Sequence, residues 1–193
     1  MNILTDALPD FVVVGNVKYG VLTDFRIWME FDRIMHLGDV STNDKIMMII
    51  RLCLDRGRCR VFPEDIMGTM DALKNFYLCS KKSKGTNNEK KERALDFCED
   101  SGYIYSAFLT QYGIDLLSVP YMHWYVFCAL LEGLEESRKL TKIMQFRLCE
   151  PESVQNNEKK KYLKRMKAFY ALRGTKTDKE REEEIAEILF KTF

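Results

Sequence analysis

The sequence predicts a mainly α protein, a multi-helix bundle with a short N-terminal β-hairpin. Three observations carry that expectation. Apolar residues recur at helical spacing through most of the chain, and the stretches with that period are bounded by capping residues and glycines. The β-prone signal is concentrated in FVVVGNVKYGVLT, residues 11–23.

Taken in order, Gly15-Asn16 separates two β-prone runs and is a hairpin turn signal. Thr23-Asp24 then offers an N-cap for a helix through Met35. Phe25, Trp28, Met29, Asp32 and Met35 fall near the 3.6-residue period, and Gly38 stands beyond the end as a stop. Ser41 to Asp44 has the form of a capping box, with the serine accepting the Asp44 amide. It precedes IMMIIRLCL, residues 46–54, a helix apolar over most of its circumference. Pro63-Glu64-Asp65 reads as the opening of the next helix, with proline in the first turn and acids at the positive end of the dipole. That helix is expected to run to about Cys79.

KKSKGTNNEKKER, residues 81–93, contains no apolar residue and reads as a linker or long loop. It divides the chain into an N-terminal hairpin plus helical subdomain at 1–80 and a C-terminal helical subdomain at 94–193. LDFCEDSGYIYSAFLTQYG restarts the helical pattern, with Phe97, Ile104, Tyr105, Phe108, Leu109 and Tyr112 on its apolar side and Gly113 as a stop. Further helices are expected from Ser137 to Cys149, before Pro151, and over 156–174, where Tyr162, Leu163, Met166, Phe169 and Tyr170 form a stripe beneath a lysine-rich face. The tail TDKEREEEIAEILFKTF, residues 177–193, reads as a short acidic amphipathic helix with Ile185, Ile188 and Leu189 in register.

QYGIDLLSVPYMHWYVFCALLEGL, residues 111–134, is the candidate site. Ser118 can cap a helix with Pro120 in its first turn, and Gly133 sits where a C-terminal cap belongs. Between them Tyr121, Met122, Trp124, Tyr125 and Phe127 leave no polar stripe, so this helix is expected to be surrounded. One reading makes it a central core helix with His123 as an internal polar group bonded to Asp115. The other covers one side, around Trp124 and Tyr125, with a partner protein, since Trp, Tyr and Met dominate such anchors. The two can hold together.

Composition narrows the chemistry. Lys and Arg number 30 against 29 Asp and Glu in 193 residues, whereas non-specific phosphate binders usually carry a marked basic excess. The basic stretch Lys159, Lys160, Lys161, Lys164, Arg165 and Lys167 has its aromatics on the opposite helix face, where they serve packing better than base stacking. Nucleic acid is therefore disfavoured as a partner. The six cysteines form no C-x-x-C pair and read as buried thiols of a reducing cytoplasm. The N-terminus lacks a basic and an apolar leader region, so no secretory signal is expected, and the run Ile114 to Leu131 is too short and interrupted to span a bilayer.

The two histidines, His36 and His123, stand far apart, and the nearest cysteine pair, Cys53 and Cys59, is too widely spaced for a zinc site. Cys128 lies five residues from His123, an offset that points helical side chains apart and disfavours a Cys–His nucleophile. No phosphate-cradling glycine loop, nucleophile elbow or H-E-x-x-H is present, and the clustered acids Glu182-Glu183-Glu184 read as a solvated face. The expectation is a non-enzyme without metal or cofactor.

One block of residues resembles a known family. Asp96-Phe97, Asp100, Ile104-Tyr105, Ala107-Phe108, Tyr112 through Leu116, His123-Trp124, Phe127, Leu130-Leu131 and Gly133-Leu134 are similar to the gp-fifteen family of tailed phages and prophages. The hairpin, Thr23 through Arg26, Asp44-Lys45, Phe146-Arg147 and Met166 through Leu172 extend the resemblance to about residue 173. Tyr125 stands where the family pattern has a second tryptophan, and the tail from Thr175 lies outside it. The resemblance implies a role in the tail gene cluster: a tail assembly chaperone of the host cytoplasm that binds the tape-measure protein and tail tube subunits and is absent from the mature virion. It carries no catalytic residues across. The competing implication is a structural completion or connector component of the tail, and self-association stays open.

Overall fold

The computed structural model describes residues 2–59, 61–80 and 93–172. The expected acidic tail helix and nearly all of the expected linker lie outside these. Among the described residues the chain is mainly helical with a two-stranded antiparallel hairpin at the front, as the sequence predicts. The order is β1 (Phe11–Val14), β2 (Val17–Gly20), α1 (Phe25–Met35), α2 (Thr42–Cys53), α3 (Ile66–Tyr77), α4 (Ser101–Tyr112), α5 (Trp124–Glu132), α6 (Lys139–Leu148), a 3-10 turn (Pro151–Ser153) and α7 (Asn157–Phe169).

The chain forms two compact units, one of Met1–Asn87 with Ile114–Gly133, the other of Asn88–Gly113 with Leu134–Phe193. This differs from a simple division at the polar segment, which places residues 114–133 in the second half. The reason is backbone pairing: the Phe25 amide donates to the Met122 carbonyl (2.9 Å) and the Trp124 amide to that of Thr23 (2.8 Å), an antiparallel bridge across about a hundred residues of chain.

In the first unit, β1 and β2 pair in register from Phe11↔Gly20 to Val14↔Val17. Gly15 at φ 58° supplies the left-handed first position that a two-residue hairpin turn of this kind requires. The strand alternation places Val12 and Val14 inside and Phe11 and Val13 outside. Asp24 caps α1 by accepting from the Arg26 amide (3.0 Å), and Ser41 caps α2 by accepting from the Asp44 amide (3.2 Å). On α2 only Ile49, Ile50 and Cys53 are buried, so the apolar run is less enclosed than its composition implies. Helix α3 begins at Ile66 with Asp65 as N-cap, accepting from the Gly68 amide at 2.8 Å. Pro63 thus precedes the helix instead of sitting in its first turn; Asp65 side-chain capping sets the start.

The core of this unit is aromatic. Phe31, Tyr77, Trp124, Phe127 and Phe25 form a run of stacked rings, with successive centroids 4.9, 5.4, 5.6 and 4.8 Å apart. The run joins α1, α3 and α5. Such pairs add about 0.5–1.5 kcal/mol each beyond the burial of their area. Trp28 stacks on Phe76 beside it, at 4.5 Å.

The second unit is organised around a buried ion pair. Asp100, at the N-terminus of α4, accepts from Nη1 and Nη2 of Arg147 on α6, at 2.6 and 2.9 Å. Arg147 also donates to the carbonyls of Tyr170 (2.7 Å) and Ala94 (2.9 Å), and the Asp96 amide donates to Asp100 (2.9 Å). Helix α4 therefore starts at Ser101, later than the apolar pattern implies, because Asp96 first caps a turn through the amides of Cys98 and Glu99. Gly113 closes α4 in the left-handed conformation at φ 67°. No residue of α7 is buried, and Tyr162 and Phe169 of its expected packing stripe are about half exposed.

Candidate functional site

The segment 114–133 is a turn, an extended bridge and a short helix. Asp115 closes the turn: its carboxylate accepts from the Leu117 amide (3.0 Å), and its carbonyl accepts from the amides of Ser118 and Val119. Arg26 fixes the turn to α1 by donating to the carbonyls of Leu116 (3.0 Å) and Val119 (2.7 Å). His123 is extended and bridges Asp24, and this pairing takes the place of the helical turn expected at Pro120. Helix α5 begins only at Trp124.

His123 is the N-cap of α5. Its Nδ1 accepts from the Tyr125 amide (3.0 Å), and its Nε2 lies 3.0 Å from the Pro9 carbonyl. An amide only donates and a carbonyl only accepts, so the ring is the Nε2-protonated neutral tautomer. The expected partner, Asp115, is not bonded to it. Both ring nitrogens are committed to the fold, one starting the helix and the other holding the segment ahead of β1.

Burial is the main cause that lowers the pKa of His123 below its ordinary value; the Pro9 hydrogen bond and the charge of Asp10 act against it. Protonation would place a hydrogen on the nitrogen that accepts from Tyr125 and break the cap. Because the folded pKa is depressed, the unfolded chain binds the extra proton more readily. The stabilisation is present above the unfolded value of about 6.5 and is lost as pH falls through the lower folded value. Thermal melts should show a midpoint that falls on acidification from pH ~7.5 to ~5.5. His123→Asn keeps a capping oxygen without a titrating ring and should flatten that dependence; identical pH slopes in the two proteins would contradict the assignment.

The remaining residues of the stretch divide by exposure. Trp124 is 1% exposed and donates from Nε1 to the Tyr77 carbonyl at 2.8 Å. Tyr125 is buried against Phe76, its hydroxyl 3.2 Å from Ser80 Oγ, and Phe127 is fully buried against Phe25. Met122 is buried, while Tyr121 is half exposed with its hydroxyl 2.7 Å from Thr23 Oγ1. Trp124 and Tyr125 therefore face their own unit and offer no docking surface; in this stretch the exposed large apolar groups are Tyr121 and Leu117.

Other polar clusters are likewise engaged. All six cysteines are free thiols, but only Cys53 is buried, and Cys98 is exposed, so the expectation of uniformly buried thiols fails. Burial pushes the Cys53 thiol far up, away from reactivity. On α7, Lys160 and Lys164 both pair with Glu152, which they hold down to about 2, and Lys167 donates to the Cys149 carbonyl. Among the described residues no group of three or more His, Cys, Asp or Glu is placed to hold a metal ion, and no helix is long and apolar enough to cross a membrane.

A family model described as "Bacteriophage Gp15 protein" matches residues 4–172. The chain belongs to that family. No curated protein and no solved structure matches the chain. The Gp15 match takes in the capping His123, the aromatic run and the Asp100–Arg147 pair, and it ends at Leu172, ahead of the acidic tail. In this Gp15 chain the apolar surface that solvent does reach includes Val61 (69% exposed), Met67 (60%) and Phe62 (45%), which the sequence reading passed over. The signal was a Val-Phe pair between a run of arginines and Pro63, outside any helical period.

Proposed function

We propose that the chain is a non-enzymatic tail assembly chaperone of a bacteriophage, binding the tape-measure protein and tail tube subunits in the host cytoplasm and leaving before the virion is complete. Membership in a bacteriophage Gp15 family supports the phage setting. The observation that carries the rest is the division of labour among side chains. The buried polar groups His123, Asp100 and Arg147 are committed to caps and pairs, whereas large apolar groups such as Val61, Phe62 and Met67 stand in solvent. A protein that masks a client needs apolar docking surface and no converging acids, bases or nucleophiles.

Mass spectrometry of purified virions separates this role from that of a tail component. The chaperone reading predicts that the chain is abundant in the infected-cell lysate and absent from virions. Its presence at fixed stoichiometry in the particle would overturn the reading in favour of a structural completion or connector protein.

A further inference from the structure

The first unit carries a groove of about 330 Å³ between the C-terminal half of α2 and the segment that follows it. Ile50 and Leu54, both buried, form its floor. Met47 and Cys59 line it, and the exposed Val61 and Phe62 make an apolar lip. The groove has room for a few apolar side chains but not for a whole helix, so its occupant would lie across it and insert one face.

Charge specifies that occupant further. Arg51 and Arg56 also line the groove, both exposed, and neither has an acidic partner among the described residues. The neighbouring acid cannot answer them. The Asp55 carboxylate is held by Arg58 (2.6 Å) and the Gly57 amide (2.9 Å), which keep its pKa below the ordinary range. Arg58 in turn reaches Asp10 (2.5 Å) and the Val21 carbonyl (3.0 Å), which anchors the segment to the end of the hairpin. Leu22 and Asp55 tie it further through their amides, to the carbonyls of Cys53 and Gly20. These two arginines, without an acidic partner among the described residues, thus stand on a braced frame beside an apolar trough.

We infer that this groove is the docking site for an acidic amphipathic helix of a partner protein, its apolar face seated on Met47, Val61 and Phe62 and its carboxylates paired with Arg51 and Arg56. Helix-in-groove recognition works through apolar anchors at i, i+3, i+4 and i+7, and Met47 supplies an adaptable wall. Arginine suits the rim because its planar fork pairs with carboxylates bidentately. The inference rests on the client-binding reading and names the surface and the chemistry of the client segment.

The test titrates the full-length chain into a fluorescently labelled synthetic helix of about five turns, Leu and Ile on one face and Glu on the other, read by anisotropy. A second probe replaces every Glu by Lys. The acidic helix should bind and weaken about tenfold or more in the R51E/R56E protein, which would then accept the Lys helix; raising salt should weaken the native complex. Phe62→Ser should weaken binding while leaving its salt dependence in place. Failure of the acidic helix to bind, or binding indifferent to both the arginine and Phe62 changes, overturns the inference. So does a concentration-dependent dimer that R51E/R56E abolishes and the acidic helix does not displace, because the groove would then belong to a second copy. Co-purification of the tape-measure protein with R51E/R56E undiminished sinks the groove and spares the chaperone role. Acidic-helix binding without tape-measure co-purification spares the groove and sinks the role.

Discussion

Arg147→Ala should destabilise the second unit by about 3–5 kcal/mol, the usual loss when one member of a buried ion pair is removed and the other stays. Asp100 is 1% exposed and its carboxylate is aimed at the guanidinium, so truncation strands a charge where water does not reach it. The change also frees the carbonyls of Tyr170 and Ala94, which tie the chain after α7 and before α4 to the same guanidinium. Urea denaturation measures the loss. Arg147→Lys keeps the charge but not the fork, and should recover only part of it. The double change Arg147→Met with Asp100→Leu should cost less than Arg147→Ala alone, because it removes the buried charge along with its partner. An Arg147→Ala loss below about 1 kcal/mol, the range of an exposed pair, would contradict the assignment.

Trp124→Ala should cost about 3–5 kcal/mol in the first unit, as expected for a large aromatic removed from a core. The indole lies between Tyr77 and Phe127 in the run of stacked rings that joins three helices, and it satisfies the Tyr77 carbonyl. Trp124→Phe keeps a ring in the stack and loses the hydrogen bond, so it should lose less, on the order of 1–2 kcal/mol. If Trp124→Ala left stability unchanged and removed only client binding, the indole would be a docking group and the packing account of α5 would be wrong.

Local chemistry made much of the fold legible in advance. The two-residue turn at Gly15-Asn16, the caps at Asp24 and Ser41 and the stop at Gly113 each satisfy backbone groups within a few residues, so a short window of sequence contains the whole interaction. What the sequence did not disclose depends on distant partners. Pro120 and Ser118 look like the start of a helix, but the amides of Met122 and Trp124 are taken by Asp24 and Thr23, which keeps the chain out of helix until Trp124. That long-range bridge also carries residues 114–133 to the first unit. Histidine is an uncommon N-cap, and its second bond goes to Pro9, more than a hundred residues away, so its role could not be read from Asp115 nearby. Asp100 and Arg147 likewise meet across 47 residues.

The candidate site shifted for the same reason. Aromatic composition marked 121–127 as either core or docking surface, and only the packing of α1, α3 and α5 places Trp124, Tyr125 and Phe127 inside. The groove at α2 was inconspicuous because its lip, Val61 and Phe62, lies in an irregular segment with no period to reveal a face.

As a chaperone the chain is proposed to hold a tape-measure protein during assembly of a phage tail. Co-expression with a tape-measure protein from the same phage genome, one partner tagged, followed by affinity purification and light scattering, tests this proposal. The expected result is a soluble complex of defined mass, with the tape-measure protein insoluble or degraded when expressed alone. Two soluble proteins that elute separately would contradict it.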